Sequence, residues 1–230
     1  CLLPKTVAIP ELALAAKMVP ASEVGGDYSA AFAAGSGGFI GIGDVAGHGL
    51  TSGLVMLMVQ SVVAALARKS PEGSPAELVC ALNTVLHDNI RHRLQNKEHV
   101  TFTLFRYDAG GKVTFAGAHE EICVYRKATG KVELVPTPGT WLGAVRDVKK
   151  HTVDSELQLD SGDIVLLYTD GVTEARAASG EQFGLDRLTA LLENSSDLPM
   201  PALIDRVYKA VASHAKELDD DVTLLAFRRL

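Results

Sequence analysis

Cysteine, clustered positive charge and long apolar runs are all scarce in this 230-residue chain, and each scarcity removes a class of protein. Its three cysteines, Cys1, Cys80 and Cys123, are an odd number without CxxC spacing. That excludes a disulfide framework and reads as reduced thiols, expected in a cytoplasmic protein. Lys and Arg number 22 against 28 Asp and Glu, which leaves a net charge of -6. With no basic stripe to offset it, nucleic-acid binding is not expected, because phosphate backbones are held by clustered cations. The same acidity would repel a phosphorylated substrate unless metal ions or a local basic patch intervene. The longest apolar run, Gly53 to Ala67, is interrupted by Gln60 and Ser61. It reads as too short to span a bilayer, and as a buried helix, so no membrane insertion is expected. The opening residues, Cys1-Leu2-Leu3-Pro4-Lys5, lack the charged and apolar regions of a signal peptide, and there is no initiator methionine. A domain excised from a longer chain is the expectation.

What is present is ordinary for a globular protein: 47% hydrophobic and 22% charged residues, in a chain long enough to bury a full core. Leu12 to Met18, Tyr28 to Ala34 and Phe39 to Asp44 read as strands, with Gly25-Gly26 and Gly37-Gly38 as turns. The apolar run to Lys69 reads as a helix packed tightly on a sheet. Ser74-Pro75-Ala76-Glu77 is a strong helix start, with Ser as N-cap, Pro at the first helical position and Glu at the third. That helix is expected to run to about Leu94. Strands are then expected at 101–107, 113–117, 122–126, 132–135, 151–157 and 164–168. Helices follow at 185–193 and 201–217, and a last strand at 222–228. Strands come in runs and helices in pairs, without βαβ alternation, so the fold class is α+β, with antiparallel sheets flanked by helices. With no internal repeat and no low-complexity linker, residues 1–230 are expected to form one domain.

Four aspartate positions fall where strands meet turns: Asp27 after Gly25-Gly26, Asp44 after Gly43, Asp170 before Gly171, and one of Asp219-Asp220-Asp221. Mg²⁺ and Mn²⁺ favour hard oxygen ligands of this kind, and a neighbouring glycine lets the backbone come close. Taken singly, each has an ordinary structural explanation: a hairpin turn at Asp170-Gly171, an N-cap at Asp44, a solvated helix end at Asp219 to Asp221. Taken together they do not, because Asp44 and Asp170 both end strongly apolar strands. Two carboxylates about 5 Å apart repel by roughly 3 kcal/mol at an effective dielectric of about 20. If the four converge, a cation is required.

Four segments carry a specific resemblance, in order: Glu23-Val24-Gly25-Gly26-Asp27-Tyr28, Gly43-Asp44-Val45-Ala46-Gly47-His48-Gly49, Tyr168-Thr169-Asp170-Gly171-Val172-Thr173-Glu174, and Asp220-Asp221-Val222-Thr223-Leu224-Leu225. The chain resembles the metal-dependent protein phosphatase (PPM) family, in the bacterial branch of sporulation and stress-response sigma-factor regulators. Leu2-Leu3-Pro4 resembles the opening of that catalytic domain, so the likeness covers essentially the whole chain. It implies a layered fold, two antiparallel β-sheets packed as a sandwich and flanked by α-helices. It implies two Mn²⁺ or Mg²⁺ ions, with Asp44 bridging them and the Val45 carbonyl as a further ligand. Asp170 and Asp220 would complete the coordination, and Asp27 would act on one ion directly or through water. Asp220 is preferred to Asp221 because the family's essential carboxylate sits two positions before Val222.

The resemblance implies hydrolysis of phosphoserine or phosphothreonine by a metal-activated water attacking phosphorus in line with the leaving oxygen. No phosphoenzyme is needed, and Cys80 and Cys123 fall in a helix and a strand rather than in a phosphate-binding loop. His48, between Gly47 and Gly49, has two readings, a general acid for the departing oxygen and a contact that holds the turn. Here two extra residues separate the aspartate from the histidine relative to the eukaryotic pattern, and the eukaryotic phosphate-binding arginine has no counterpart that can be placed. His119 in Ala118-His119-Glu120-Glu121 looks like a metal-binding run, but a turn residue between strands is the expectation. Trp141 is expected to be a partly buried packing residue.

By the same resemblance the substrate is a small phosphorylated regulator of the STAS (anti-sigma-antagonist) type, a sensory domain precedes the catalytic one, and a homodimer is open. Two rival readings remain. Gly25-Gly26-Asp27-Tyr28 is similar to a GGDEF-type nucleotidyl cyclase turn, although Tyr28-Ser29-Ala30 departs from its pattern and the later aspartates would have no role. The chain could also be a phosphatase fold kept as a sensor or interaction module.

Overall fold

The structure is a computed structural model and describes residues 8–21, 24–47 and 49–230. Among the described residues ten strands form two five-stranded sheets, antiparallel at every pairing. The first contains β1 (Leu12–Val19), β10 (Val222–Arg229), β9 (Ile164–Tyr168), β6 (Ile122–Arg126) and β7 (Lys131–Val135), in that order. The second contains β2 (Tyr28–Ala34), β3 (Gly37–Val45), β4 (Val100–Asp108), β5 (Lys112–Ala118) and β8 (Ser155–Gln158). Consecutive strands β1 and β2 therefore lie in different sheets, and the glycine-rich link between them crosses from one to the other.

Three apolar layers hold this arrangement. Ile40, Ile42, Phe105 and Phe115 of the second sheet meet Val124, Val165, Leu225 and Phe227 of the first in the central layer. Two helices, α1 (Leu50–Lys69) and α2 (Pro75–Asp88), cover the outer face of the second sheet through Val55, Val59, Val63, Leu82 and Leu86. On the outer face of the first sheet, α4 (Leu185–Glu193) and α5 (Met200–His214) bury Leu188, Leu192, Leu203 and Val207 against Leu166, Leu224 and Ala226. A sheet with both faces covered must be apolar on both, and β9 and β10 accordingly read as continuous apolar runs rather than alternating ones. The layered sandwich expected from the resemblance is the one observed.

Local signals account for most element boundaries. Ser74 caps α2 as expected, its hydroxyl accepting from the Glu77 backbone N–H with Pro75 at the first position. The helix expected to run to Leu94 stops being α-helical at Asp88 and continues as a five-residue π turn, Asn89–Arg93. The strand expected at 151–157 begins only at Ser155, because His151 closes a turn onto the Val148 carbonyl. α5 ends at His214 rather than at Glu217, Ala215 being already extended.

Helix α1 corrects the reading of its apolar run. It has 20 residues, and by length and composition it could cross a membrane. Its buried face is Ser52, Gly53, Val55, Val59, Val63 and Ala67, small side chains that let it lie close on the sheet. The opposite face is not buried: Leu50, Leu54 and Leu57 are exposed. Trp141 also differs from expectation, being 54% exposed and stacked on His99.

Candidate metal centre

The sequence-expected aspartates are delivered to one end of the sandwich by strand ends. Tyr28 pairs with Gly43, so Asp27, one residue before β2, falls opposite Asp44 near the end of β3. In the other sheet Leu224 pairs with Tyr168, and the Thr169 N–H donates to the Thr223 carbonyl. Asp170, which opens the short helix α3 (Asp170–Thr173), therefore lies beside the start of β10, where Asp220 and Asp221 stand. Antiparallel register alone brings each pair together; the sandwich then brings the two pairs together.

Their mutual influence is visible in their acidities. Burial raises the Asp44 carboxyl above its ordinary value, and the charges of Asp170, Asp220 and Asp221 raise it further. Asp27 and Asp44 are close enough to share a proton, and Asp27 is raised chiefly by burial, with the Asp44 and Asp221 charges adding to it. Asp170 is raised by burial and by Asp220. Buried carboxylates that also repel one another form a donor set suited to cations, and oxygen-only donors suit Mg²⁺ or Mn²⁺. The chemistry of this donor set fits divalent cations.

The two neighbouring aspartates before β10 are not equivalent. Asp221 is buried, and its carboxylate is occupied by backbone donors: Ala21 N–H at 2.8 Å on one oxygen, Gly26 N–H at 2.8 Å and Asp27 N–H at 3.4 Å on the other. It ties the start of β10 to the link entering β2. Asp220 is exposed; one of its oxygens accepts from the Asp221 N–H at 2.8 Å, and its charge is felt by both Asp44 and Asp170. Glycine is required around this knot. A Cβ on Gly25 would collide with the Asp221 carboxylate, and one on Gly171 would collide with the Asp221 carbonyl oxygen. The Val45 carbonyl oxygen faces Gly26, where an added Cβ would stand at 3.0 Å. His48 lies outside the described residues, as do Leu2-Leu3-Pro4 and Glu23.

Several participants carry no sequence signal of their own. Thr169, fully buried, donates its hydroxyl to Asp27 Oδ2 at 2.8 Å and accepts from the Thr223 N–H at 3.1 Å. Glu120, half-buried, is raised by burial and by the charges of Asp170 and Glu174, so two further carboxylates border the centre. Its neighbour His119 lies in the link between two strands, as expected, and its ring is held. The ring contacts Thr101 and the Tyr168 carbonyl, and burial lowers the imidazole to about 4. Only the alternation of Ala118-His119-Glu120-Glu121 between two strands hints at this, since its partners are distant in sequence.

Two antiparallel sheets between helix pairs, with aspartates gathered at one end, are the arrangement of the PP2C fold. Within that class, residues 35–230 match the family profile of stage II sporulation protein E (SpoIIE), and the chain belongs to that family. It is 27% identical over 221 residues to the phosphoserine phosphatase RsbU of Bacillus subtilis, covering 95% of this chain and 63% of that protein. The chain thus spans less than two thirds of the length of this relative. Among solved structures, the RsbU and RsbW domains of Rv1364c from Mycobacterium tuberculosis superpose with a TM-score of 0.81 at 23% identity, covering 99% of this chain and 61% of that one. The catalytic domain of the serine/threonine phosphatase PstP, solved with two manganese ions, gives a TM-score of 0.69 at 15% identity, covering 94% of this chain and 97% of that one. The cyclase reading of Gly25-Gly26-Asp27-Tyr28 is overturned, because the family is a different one and that turn closes on Asp221.

Proposed function

We propose that this chain is a protein phosphatase that uses two divalent cations, Mn²⁺ or Mg²⁺, to hydrolyse phosphoserine or phosphothreonine on a small regulatory protein of the STAS type, within a cytoplasmic partner-switching system. The observation that carries the reading is the gathering of Asp27, Asp44 and Asp170, each raised chiefly by burial and further by neighbouring carboxylates, with the charge of Asp220 acting on Asp44 and Asp170. Family membership and the likeness to RsbU support the reaction and the kind of substrate.

In this reading Asp44, the Val45 carbonyl, Asp170 and Asp220 would hold the ions, and Asp27 would act on one of them directly or through water. Bound cations would supply an activated water and neutralise charge on the phosphoryl oxygens. The chain's own work is positioning. Asp221 fixes the Gly25–Asp27 backbone, and the Thr169 hydroxyl holds Asp27 Oδ2. Around this group the chain is acidic, so phosphate can approach only once cations are in place. His48 is the residue to test for protonation of the leaving oxygen.

The experiment is hydrolysis of para-nitrophenyl phosphate and of a phosphoserine STAS-domain protein, with and without Mn²⁺. Turnover that needs Mn²⁺ and yields inorganic phosphate is expected. No turnover of either substrate, with Mn²⁺ bound, would leave the chain as an interaction module.

A further inference from the structure

We propose that His119 is the positioning residue that sets the gap between the two halves of the metal centre, a neutral bridge running from one sheet to the other. This deepens the phosphatase reading and rests on it. His119 directly follows β5, where the chain leaves the second sheet to begin β6 in the first. Its ring touches both sheets. Nδ1 lies 2.9 Å from Thr101 Oγ1 on β4, and Nε2 lies 3.0 Å from the carbonyl oxygen of Tyr168 at the end of β9.

The tautomer follows from the partners. A carbonyl oxygen only accepts, so Nε2 carries the proton, and Nδ1 of the neutral ring accepts from the Thr101 hydroxyl. Each partner touches or belongs to the backbone that carries a metal-centre aspartate. Thr101 is the cross-strand partner of Asp44, and its Oγ1 is 3.4 Å from the Asp44 carbonyl oxygen. Tyr168 is separated from Asp170 only by Thr169, whose hydroxyl holds Asp27. The path Asp44, Thr101, His119, Tyr168 thus joins the backbone behind carboxylates of opposite sheets, and its two His119 contacts are additional to strand pairing.

The bridge is itself anchored. The His119 N–H donates to Thr137 Oγ1 at 2.9 Å, and the Thr137 hydroxyl donates to the His119 carbonyl at 2.5 Å. The β4–β5 ladder has already ended at Ala118, paired with Phe102, so these bonds are not part of the sheet. Groups behind a metal ligand that orient it typically matter by about 10–100-fold in metal affinity.

Two variants each keep half the bridge. In His119→Gln the amide nitrogen can reach the Tyr168 carbonyl, and in His119→Asn the amide oxygen can accept from Thr101. Mn²⁺ binding to the wild type and both variants would be measured by calorimetry, with urea unfolding of the metal-free proteins alongside. The Mn²⁺ dependence of para-nitrophenyl phosphate hydrolysis completes the set. Both variants should bind at least one Mn²⁺ about 10–100-fold more weakly, and saturating Mn²⁺ should restore most of kcat. Thr101→Val, which leaves His119 intact, should show the same loss even if the histidine variants are too unstable to purify. Wild-type Mn²⁺ affinity in the variants, whatever their stability, would overturn the bridge and leave the phosphatase reading standing. No Mn²⁺ binding by the wild type would remove both.

Discussion

Thr169 Oγ1 donates to Asp27 Oδ2 at 2.8 Å, a bond between residues 142 positions apart that flank strands of different sheets. The same oxygen accepts from the Thr223 N–H, so the hydroxyl acts as donor and acceptor at the seam of the sandwich. Thr169→Val keeps the branched shape and removes both bonds. It leaves the buried Thr223 N–H without its partner and takes one donor from the Asp27 carboxyl, at a cost of about 1–3 kcal/mol. Urea unfolding should detect this loss, and Thr169→Ser should recover most of it.

Asp44→Asn and Asp170→Asn should each abolish Mn²⁺-dependent turnover while leaving the fold intact, since amides of the same shape replace the carboxylates. Steady-state kinetics with circular dichroism checks both halves. Near-normal rates in both variants would remove the dimetal mechanism.

Metal-free stability should depend on pH in a direction set by Asp27 and Asp44. Both are raised in the folded state, mainly by burial. At low pH the two carboxyls are protonated whether the chain is folded or not, and contribute no difference. As pH rises above about 4, the unfolded chain ionises freely while the folded one resists, so stability falls. Asp44→Asn removes part of that penalty. Its metal-free Tm should exceed that of wild type by a margin that widens from pH 5 to pH 8, and Mn²⁺ should stabilise only the wild type strongly. A margin independent of pH would count against the placement of these carboxyls.

Asp220 and Asp221 should separate into two phenotypes. Asp221→Ala strands the N–H groups of Ala21, Gly26 and Asp27, and should cost about 2–4 kcal/mol in urea unfolding. Asp220→Ala should change stability little and weaken Mn²⁺ binding instead. Calorimetry and denaturation on the same two proteins test the division of labour.

Gly171→Ala should destabilise the chain by about 1–3 kcal/mol, since the new methyl meets the Asp221 carbonyl, a backbone atom that cannot swing aside. Gly180→Ala is the control for backbone conformation, because no atom lies within 4 Å of its added Cβ but its φ is +87°. A thermal melt of each separates collision from conformational strain.

The order of elements, the capped start of α2 and the gathering of aspartates at strand ends could be read from residues 12–228, because each depends on neighbours within a few positions. Helix α1 could be read only in part: its run of apolar residues is plain, but which face meets the sheet depends on where small residues sit against a partner that folds from elsewhere. The metal-ligand candidates were legible as carboxylates beside glycine.

What the sequence determined by itself was the supply of parts: hard oxygen donors at the ends of apolar strands, and the glycines beside them. The tertiary structure decided what each part does. It committed Asp221 to backbone donors and left Asp220 exposed, it gave Thr169 to Asp27, and it set His119 between two sheets. The physical reason is that a hydrogen bond or a charge repulsion acts over a few ångströms of space, and the partners of the Asp221, Thr169 and His119 side chains lie 18 to 200 positions away in the chain.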